Sequence, residues 1–514
     1  MSIPGLSIPG LSSTPSSTPL SIAQPSTTEP LPPRTHTLPP ESEYRFEAPL
    51  SPSLPPFTIK LLTGSAELFG TELAPQKLYT FPPGAKGAIF TWLGASLEAT
   101  GDAESEFVAE ETSMVEAANV HFALENLRPQ VGTKGRGGSL QNGEGPRVLV
   151  LGAKDSGKTS LARILTGYAV RMGRQPVVVN LDQGEGGVSV PGGLTATVMA
   201  SVGDVESVGG WGGSAITGPS ATQLKSPLVY FYGMESLGEA SGVGREPLGS
   251  RRGIWKALVT RLALAVTSRM EEDLEVKAAG FVIDTPGILG DKKAYELVEH
   301  LVGEFSINVI LVVGSERLFS DMKRKFAPQV SVGSANGTVD EAVKVVKLAK
   351  SGGCVDRDET YMKAIRAQQI RSYFFGEKAL TLSPLTVMVG YDEVTILRYS
   401  EASTTSTSSA YLPGQDPDSD TEPSTPTAFA SSRPIFTSVP PSLALSNAVL
   451  ALPHCSASTP QSEILTSAIM GFAYVADIDE QRKGIRFLVP APMRLEGRVM
   501  IWGGWPEGVV DLLG

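Results

Sequence analysis

The chain has 514 residues, of which 19% are charged, and a formal net charge of −11. An acidic balance argues against non-specific nucleic-acid binding through the whole surface, although it is compatible with a local basic cleft. The two cysteines, Cys354 and Cys455, provide neither a metal-binding spacing nor a disulfide framework. No unbroken apolar stretch is as long as a membrane span, and the first residues lack the basic region of a signal peptide. We therefore expect an intracellular, soluble protein of roughly two to four domains.

The N-terminal part of the chain divides into a polar tail and a β-rich segment. Of residues 1–40, 24 are Ser, Thr or Pro, a composition that buries too little apolar surface to fold, so we predict a disordered tail. Over 41–112, Gly and Pro separate short strand-like runs at near-regular spacing, which predicts a small β-sandwich or β-barrel. A helix over 114–127 completes an N-terminal domain of residues 41–131, and a Gly-rich linker over 132–145 follows.

The central part of the chain, residues 146–376, alternates buried strands with helices. This alternation predicts a parallel, doubly wound sheet of the α/β class. Two Gly/Ser-rich segments, 201–225 and 331–338, interrupt the pattern and are typical of surface insertions. The predicted strands cover residues 147–152, 177–181, 228–232, 280–283 and 308–313, with helices over 159–172, 252–269 and 295–305.

The last part of the chain, residues 377–514, again has strand-like apolar runs. A Ser/Thr/Pro-rich stretch, about 403–441, interrupts them and is predicted to be a disordered insertion. The pattern indicates a second small β domain that carries this insertion. The strand-like runs cover residues 387–390, 394–399, 469–478, 484–490 and 499–502.

The most specific motif in the chain joins an apolar strand to a helix. Gly152 and Gly157 enclose four residues and are followed by Lys158 and Thr159, which is the spacing of a P-loop. The glycines let backbone N–H groups turn towards a phosphate, the lysine can reach the β- and γ-phosphates, and the threonine hydroxyl can bind Mg²⁺. The following helix directs the positive end of its dipole at the same anion. The sequence therefore predicts a nucleotide-binding site, with a chance glycine-rich turn as the alternative.

Two aspartates follow buried strands and are candidates for a further carboxylate of the site. Asp182 directly follows the run 177–181, where it could hold Mg²⁺ through water or act as a base, unless it is a helix-capping or turn residue. Asp284 begins Asp-Thr-Pro-Gly, which has the spacing of a GTPase switch motif. A GTPase should also carry Asn/Thr-Lys-x-Asp after a later strand, and the sequence after 308–313 has none. A GTPase-like switch is therefore the weaker interpretation.

Two arginines, Arg366 and Arg371, form a candidate lid. They lie five positions apart in a helical pattern, which separates them by about 140° around the helix axis. Both could still point into a cleft over phosphates, as arginines do in kinases. Solvated positions on a helix surface explain the same spacing equally well.

Further motifs, together with the P-loop, form a set that is spread along the chain. They are Glu43-Tyr-Arg-Phe-Glu, Leu62-Thr-Gly-Ser-Ala-Glu-Leu-Phe-Gly, Phe81-Pro-Pro-Gly-Ala-Lys-Gly, Leu181-Asp-x-Gly-x-Gly, Val188-Ser-Val-Pro-Gly, Ser226-Pro-Leu-Val-Tyr, Lys350-Ser-Gly-Gly and Ile370-Arg-Ser-Tyr-Phe-Phe-Gly. With this set the chain resembles the Clp subunits of the pre-mRNA cleavage factor, in the polynucleotide 5′-hydroxyl kinase family. The resemblance covers residues 41–400 and, more weakly, 460–514.

The resemblance implies three domains: an N-terminal β-sandwich, a central P-loop domain and a small C-terminal α/β domain. It implies ATP and Mg²⁺ as ligands, with Glu43 and Lys86 of the N-terminal domain at the adenine. It also implies a nuclear protein that binds the Pcf scaffold subunit and the other subunits of the cleavage factor. Its association with pre-mRNA would be indirect, and no membrane partner is expected. The P-loop residues expected to bind nucleotide are Asp155, Ser156, Gly157, Lys158, Thr159 and Ser160, and the expected metal ligands are Thr159 and Asp182.

Two departures from the pattern of active kinases in that family bear on activity. Glu185 stands where those kinases have glutamine, and a carboxylate beside the phosphates opposes phosphoryl transfer. Ile288 replaces a tryptophan that stacks on an RNA base, a contact worth roughly 1–3 kcal/mol. We therefore expect an ATP-binding scaffold without catalytic residues, like the fungal members that this pattern resembles. The alternative is an active RNA 5′-hydroxyl kinase that uses Lys158, Asp182, Arg366 and Arg371.

Overall fold

The structure is a computed structural model that describes most of the chain. Some predictions concern parts of the chain that lie outside the described residues. These are the predicted disorder of residues 1–31 and 403–433, most of the Gly-rich linker, and much of the two Gly/Ser-rich insertions. No helix in the described part of the chain is long and apolar enough to cross a membrane. The described residues are 32–128, 143–211, 227–239, 246–327, 343–377, 380–400, 434–510 and 512.

The N-terminal domain is a sandwich of two antiparallel sheets. Its elements are β1 (Arg34–Leu38), β2 (Ser42–Glu47), β3 (Thr58–Gly64), β4 (Glu67–Leu68), β5 (Thr71–Glu72), β6 (Leu78–Thr80), β7 (Lys86–Thr91), β8 (Ala95–Thr100), β9 (Ser105–Ala109) and α1 (Met114–Glu125). One sheet has the order β1-β8-β3-β6 and the other β5-β4-β7-β2-β9. Alternate residues of β8 are buried, as expected for a strand with one face on a core. They share this core with Tyr44 and Phe46 of the opposite sheet, so the predicted sandwich is confirmed.

The prediction of a disordered tail over residues 1–40 is wrong for its last part. Strand β1 lies within this range and pairs with β8. Its last residue, Leu38, is buried in the sandwich core. Its first residue, Arg34, donates a hydrogen bond from Nη2 to the Gly101 carbonyl at 2.9 Å. Threonine is a good strand former as well as a common tail residue, so composition alone misassigned this strand.

The central domain contains the P-loop and a seven-stranded sheet. Its elements are β10 (Arg147–Gly152), α2 (Lys158–Arg171), β11 (Val177–Asn180), β12 (Gly193–Val198), β13 (Leu228–Phe231), α3 (Arg251–Glu272), α4 (Leu274–Ala279), β14 (Phe281–Asp284), α5 (Tyr295–Glu304), β15 (Val309–Val313), α6 (Glu316–Lys325), β16 (Lys344–Leu348) and α7 (Glu359–Phe375). The strand order is β13-β12-β11-β14-β10-β15-β16. Helices α1 and α2 share a core with Val148 and Val150 of β10, whereas α3 and α5 share a core with Leu149 and Leu151. Helices therefore cover both faces of the sheet, as predicted.

The predicted parallel sheet is confirmed for five strands and corrected at one edge. Strands β11, β14, β10, β15 and β16 are parallel, but β12 runs antiparallel to β11 and β13 antiparallel to β12. A parallel neighbour requires a crossover connection, usually a helix. The fully described stretch between Asn180 and Gly193 contains no helix, so β12 can only return antiparallel. Sequence patterns had missed both β12 and the edge strand β16.

The C-terminal domain is built around a second seven-stranded sheet. Its elements are β17 (Gly376–Glu377), β18 (Leu380–Thr381), β19 (Leu385–Gly390), β20 (Val394–Tyr399), β21 (Phe436–Ser438), β22 (Val449–Pro453), α8 (Gln461–Leu465), β23 (Ile469–Asp479), β24 (Gly484–Val489) and β25 (Arg498–Trp502). The large sheet has the order β19-β24-β23-β22-β25-β20-β21. Strand β21 lies inside the predicted insertion of residues 403–441 and pairs with β20, so the insertion ends earlier than predicted.

The three domains pack directly on one another. Phe231 of β13, Tyr373 of α7 and Phe472 of β23 meet in one aromatic cluster, and the Phe472 amide donates to the Tyr373 hydroxyl at 3.1 Å. The central and C-terminal domains therefore share a core. At the boundary between the N-terminal and central domains, Glu67 of β4 accepts hydrogen bonds from Tyr168 and Arg171 of α2. This contact fixes the N-terminal sandwich against the P-loop helix.

Candidate functional site

A cavity of about 370 Å³ lies between the N-terminal sandwich and the carboxyl ends of β10, β11 and β14. Ligands of open α/β sheets bind at this edge, because the loops that follow the strands meet there. Two domains contribute to the cavity wall, so a ligand inside it contacts both. The predicted site residues that line it are Glu43, Lys86, Asp155, Ser156, Gly157, Lys158, Thr159, Ser160 and Asp182.

The P-loop connects the end of β10 to the first turn of α2. Gly157 has a φ of 88°, in the left-handed region where glycine is favoured because it has no Cβ. No side chain caps the first turn of α2, so its N–H groups stay available to an anion. The Lys158 ammonium donates to the Ala153 carbonyl at 2.7 Å and so lies over the loop. This is a preformed cradle for phosphate groups.

Two aspartates lie at the same edge of the sheet as Thr159. Asp284 is the last residue of β14, and its Oδ2 accepts a 2.6 Å hydrogen bond from the Thr159 hydroxyl. Asp182 follows the adjacent strand β11, and its Oδ1 accepts from the Gly184 amide at 2.9 Å. The parallel register of β11 and β14 brings both carboxylates to one end of the sheet. Asp284, considered from sequence mainly as a switch residue, thus contacts the P-loop directly.

Both aspartates have a raised pKa. Burial, together with the charges of Glu185 and Asp284, raises the pKa of Asp182 to about 7. Burial also raises the pKa of Asp284 to about 6, although the hydrogen bond from Thr159 and the charge of Lys158 oppose this. Crowded buried carboxylates favour the entry of a cation, and carboxylate and hydroxyl oxygens are ligands that Mg²⁺ accepts. The donor set therefore fits a hard divalent cation.

Such a cation would share its ligands with a bound phosphate. No group of three or more His, Cys, Asp or Glu side chains in the described part of the chain could hold a metal ion by itself. Thr159, Asp182 and Asp284 supply only part of a coordination shell, as is usual for Mg²⁺ in nucleotide sites.

Glu43 and Lys86 line the N-terminal wall of the cavity. Glu43 is buried and accepts hydrogen bonds from the Arg45 Nε, at 2.9 Å, and from the Thr112 hydroxyl. Lys86 donates to Glu47, and its ammonium lies 4.9 Å from the centre of the Tyr361 ring. The fold thus brings these two residues to the same cavity as the P-loop. Their contact with a nucleotide base stays a prediction.

The structure places neither candidate lid arginine against the cavity. Arg366 donates to the Glu507 carboxylate, from Nη2 at 2.6 Å and from Nε at 3.0 Å, and its guanidinium lies 4.4 Å from the Trp505 ring centre. Arg371 donates to the Leu512 carbonyl at 3.1 Å. Both therefore contact the last segment of the chain. Their predicted place over the phosphates stays a prediction, and in this structure each arginine donates to an acceptor in the C-terminal segment.

A different arginine, Arg357, lies at the P-loop. Its Nε donates to Asp155 at 2.6 Å, its Nη2 to Glu185 at 2.5 Å and its backbone amide to Asp155 at 3.1 Å. Burial lowers the pKa of Arg357, but the two carboxylates raise it by more, so the guanidinium stays charged. Sequence reasoning missed this residue, since Asp-Arg-Asp in a loop carries no motif. The contact also shows that Glu185 is not an unpaired charge.

The fold and the site define a P-loop nucleotide-binding protein with its pocket between two domains. Family models match three consecutive parts of the chain. They are the N-terminal beta-sandwich domain of polyadenylation factor (residues 37–131), the mRNA cleavage and polyadenylation factor CLP1 P-loop (152–376) and the pre-mRNA cleavage complex II protein Clp1 (382–507). The chain belongs to the Clp1 family of mRNA cleavage and polyadenylation factors.

Individual relatives match over nearly their full length. The mRNA cleavage and polyadenylation factor clp1 of Botryotinia fuckeliana is 44% identical over 480 residues, which are 93% of this chain and 94% of that protein. The corresponding factor of Phaeosphaeria nodorum is 44% identical over 515 residues, with 99% and 100% coverage.

Solved structures share the fold. A structure that describes an extended interface between Pcf11p and Clp1p, and the basis for ATP loss in a point mutant, matches with a TM-score of 0.75 at 25% identity. It covers 92% of this chain and 98% of its own. A wild-type Clp1p–Pcf11p complex matches with a TM-score of 0.73 at 24% identity and the same coverage.

Proposed function

We propose that this protein is an ATP-binding scaffold subunit of the nuclear pre-mRNA cleavage factor, which acts in the cleavage and polyadenylation of mRNA 3′ ends. Relatives at 44% identity are named as mRNA cleavage and polyadenylation factors. The structural relative at 25% identity is described in complex with Pcf11p and with reference to ATP loss. A Pcf-type scaffold subunit is accordingly the expected direct partner.

One observation supports a structural role for the nucleotide: its cavity lies between two domains. Glu43 and Lys86 of the sandwich and Lys158 and Thr159 of the P-loop line one enclosure. A ligand that binds only the assembled form stabilises it by mass action. ATP would thus hold the sandwich against the central domain, and helix α7 would transmit this order to the C-terminal domain.

Mg²⁺ is the expected companion of ATP at this site. Thr159 and Asp284 are within hydrogen-bond distance of one another, and Asp182 lies in the same carboxylate cluster. When bound, the cation would neutralise phosphate charge beside these residues. Its entry would also hold both aspartates ionised, against the effect of their burial.

The alternative function, RNA 5′-hydroxyl phosphorylation, lacks support on the acceptor side of the site. Glu185 binds Arg357 where active relatives have a glutamine, and Ile288, which is 39% exposed, offers no aromatic face to a base. Arg366 and Arg371 contact the C-terminal segment instead of the cavity. The P-loop residues line the cavity, whereas Glu185 and Ile288 depart from the pattern of active kinases, which supports the scaffold function over the kinase alternative.

The proposal is tested by the nucleotide content and partner binding of the purified protein. The full chain should co-purify with ATP in near-stoichiometric amount, released on denaturation and identified by ion-exchange chromatography. A Pcf-type segment should be captured by this protein, and less so by a nucleotide-free P-loop variant. ADP as the bound species, or partner capture that does not depend on nucleotide, would contradict the structural role of ATP.

A further inference from the structure

Arg357 is held in place at the P-loop by two carboxylates from different parts of the central domain. Asp155 belongs to the P-loop itself, and Glu185 to the loop between β11 and β12. The Lys154 ammonium also donates to the Arg357 carbonyl, at 3.4 Å. The segment before α7 is thus fixed to the P-loop through its backbone and through its charged side chain.

The guanidinium retains hydrogen-bonding capacity for a ligand. Arginine has five N–H donors, and the structure uses the Nε donor and one Nη2 donor of Arg357. Its Nη1 group has no hydrogen-bond partner in the described part of the chain, and Arg357 lines the nucleotide cavity. A planar fork whose orientation is already fixed binds phosphate with a smaller loss of side-chain freedom than a mobile one.

Arg357 lines the same cavity as the P-loop and contacts the P-loop residue Asp155 directly. Glu43 and Lys86 line the part of the cavity wall that the N-terminal sandwich forms. The P-loop lysine and threonine mark the position of the β- and γ-phosphates. Glu185, which holds Arg357, lies three residues after Asp182, and both carboxylates interact with Asp284, which also interacts with Lys158.

From these contacts we infer that Arg357 is a specificity-determining residue that binds the terminal phosphate of a nucleoside triphosphate and distinguishes it from a diphosphate. The inference deepens the proposed function and rests on it. Asp155 and Glu185 are its positioning residues. In this arrangement Glu185 contributes to binding of the triphosphate, because it fixes the Arg357 guanidinium beside the P-loop.

The test compares ATP and ADP affinities of the full-length, nucleotide-stripped protein by calorimetry in the presence of Mg²⁺. Loss of one charge-assisted phosphate contact in Arg357→Gln should weaken ATP binding by about tenfold or more. ADP binding should change by less than about threefold, since ADP lacks the phosphate concerned. Arg324→Gln is the matched control, because that arginine is 80% exposed on α6 and should leave both affinities unchanged.

A double variant separates phosphate binding from a structural role. If Arg357→Gln acted only by leaving Glu185 unpaired, Arg357→Gln combined with Glu185→Gln would restore ATP affinity. The inference predicts that the double variant stays as weak for ATP as Arg357→Gln. Arg357→Lys keeps the positive charge but loses the planar guanidinium, so it should lose part of the preference for ATP over ADP. If Arg357→Gln does not fold, Arg357→Lys replaces it in the comparison.

The outcomes are distinct. Equal losses for ATP and ADP, unchanged affinities, or recovery in the double variant overturn the inference and leave the proposed function standing. A wild-type protein that binds neither nucleotide overturns the proposed function itself.

Discussion

The guanidinium of Arg366 and the carboxylate of Glu507 form a bidentate ion pair, with Nη2 2.6 Å and Nε 3.0 Å from the same oxygen and Nε 3.0 Å from the other. The two residues are 141 positions apart. Their contact joins α7 of the P-loop domain to the segment that follows β25. We expect an arginine held in this way to contribute to the cohesion of the two domains.

Removal of this pair should destabilise the protein. The Arg366 side chain is only 4% exposed, so Glu507→Ala leaves a buried guanidinium with the more exposed Glu359 as its remaining carboxylate. We expect the free energy of unfolding to fall by about 1–3 kcal/mol. Thermal and urea unfolding would measure the loss. Glu496→Ala, at the exposed pair with Arg494, should change stability by less than about 0.5 kcal/mol, and an equal effect of both variants would refute the cohesive role.

The P-loop assignment predicts that Lys158→Ala combined with Thr159→Ala abolishes nucleotide binding. The double variant removes the ammonium that reaches the phosphates and the hydroxyl beside Asp284. Affinity for ATP should fall by about a hundredfold or more, as judged by calorimetry. Thr166→Val, in the same helix, is the control, because the Thr166 hydroxyl has no hydrogen-bond partner in the described structure. Unchanged ATP affinity in the double variant would show that the nucleotide binds elsewhere.

Asp182 should make the stability of the nucleotide-free protein depend on pH. The pKa of Asp182 is about 7 in the folded chain and 3.8 in the reference state. Between these two pH values the folded state therefore binds a proton at Asp182 that the unfolded state has released. Its stabilising contribution is present below about pH 4 and is lost as the pH rises towards 7. Asp284, with a raised pKa of about 6, acts in the same direction.

Asp182→Asn should therefore stabilise the nucleotide-free protein above pH 7 and have little effect near pH 4. Because one pKa unit corresponds to about 1.4 kcal/mol and the aspartates interact, we expect a gain of about 1–3 kcal/mol at pH 8. Urea unfolding at both pH values measures it. In Mg²⁺ and ATP the sign should reverse, since the asparagine is a poorer cation ligand. A variant less stable than wild type at pH 8 without ligand would contradict the raised pKa.

Base selectivity is expected to depend on the N-terminal domain. Lys86→Ala should reduce the preference for ATP over GTP, because Lys86 lines the sandwich wall of the cavity. The wild-type preference should be about tenfold or more, which corresponds to one charge-assisted contact. Competition binding with the two nucleotides measures it, and Lys60→Ala, outside the cavity wall, is the control. Equal ATP and GTP affinities in the wild type would show that the N-terminal sandwich does not select the nucleotide base.

Sequence patterns predicted the elements with strong local signals and missed those defined by distant contacts. The glycines and lysine of the P-loop have a fixed spacing because one turn of backbone must surround a phosphate, so residues 152–159 were predicted correctly. Strand β16 is short, only partly buried and lies at a sheet edge, so its local pattern was weak.

The arginines show the same limit within the site. Arg366 and Arg371 were candidates for the phosphates because of their spacing, yet each donates to an acceptor from a segment more than a hundred positions away. Arg357 had no recognisable pattern, and its role follows only from the fold, which brings Asp155 and Glu185 to either side of it. Pairing between loops of different strands leaves no periodic trace in a single sequence.

The central claim is that ATP is held and not transferred, and a single-turnover phosphorylation assay tests it most directly. Purified full-length protein is incubated with γ-labelled ATP, Mg²⁺ and a 5′-hydroxyl RNA, beside the variant that carries Glu185→Gln and Ile288→Trp. The account predicts that the wild type retains labelled ATP and leaves the RNA unlabelled. Label on the RNA in the variant alone would assign the loss of activity to those two positions. Stoichiometric labelling of the RNA by the wild type would contradict the scaffold function and establish the kinase alternative.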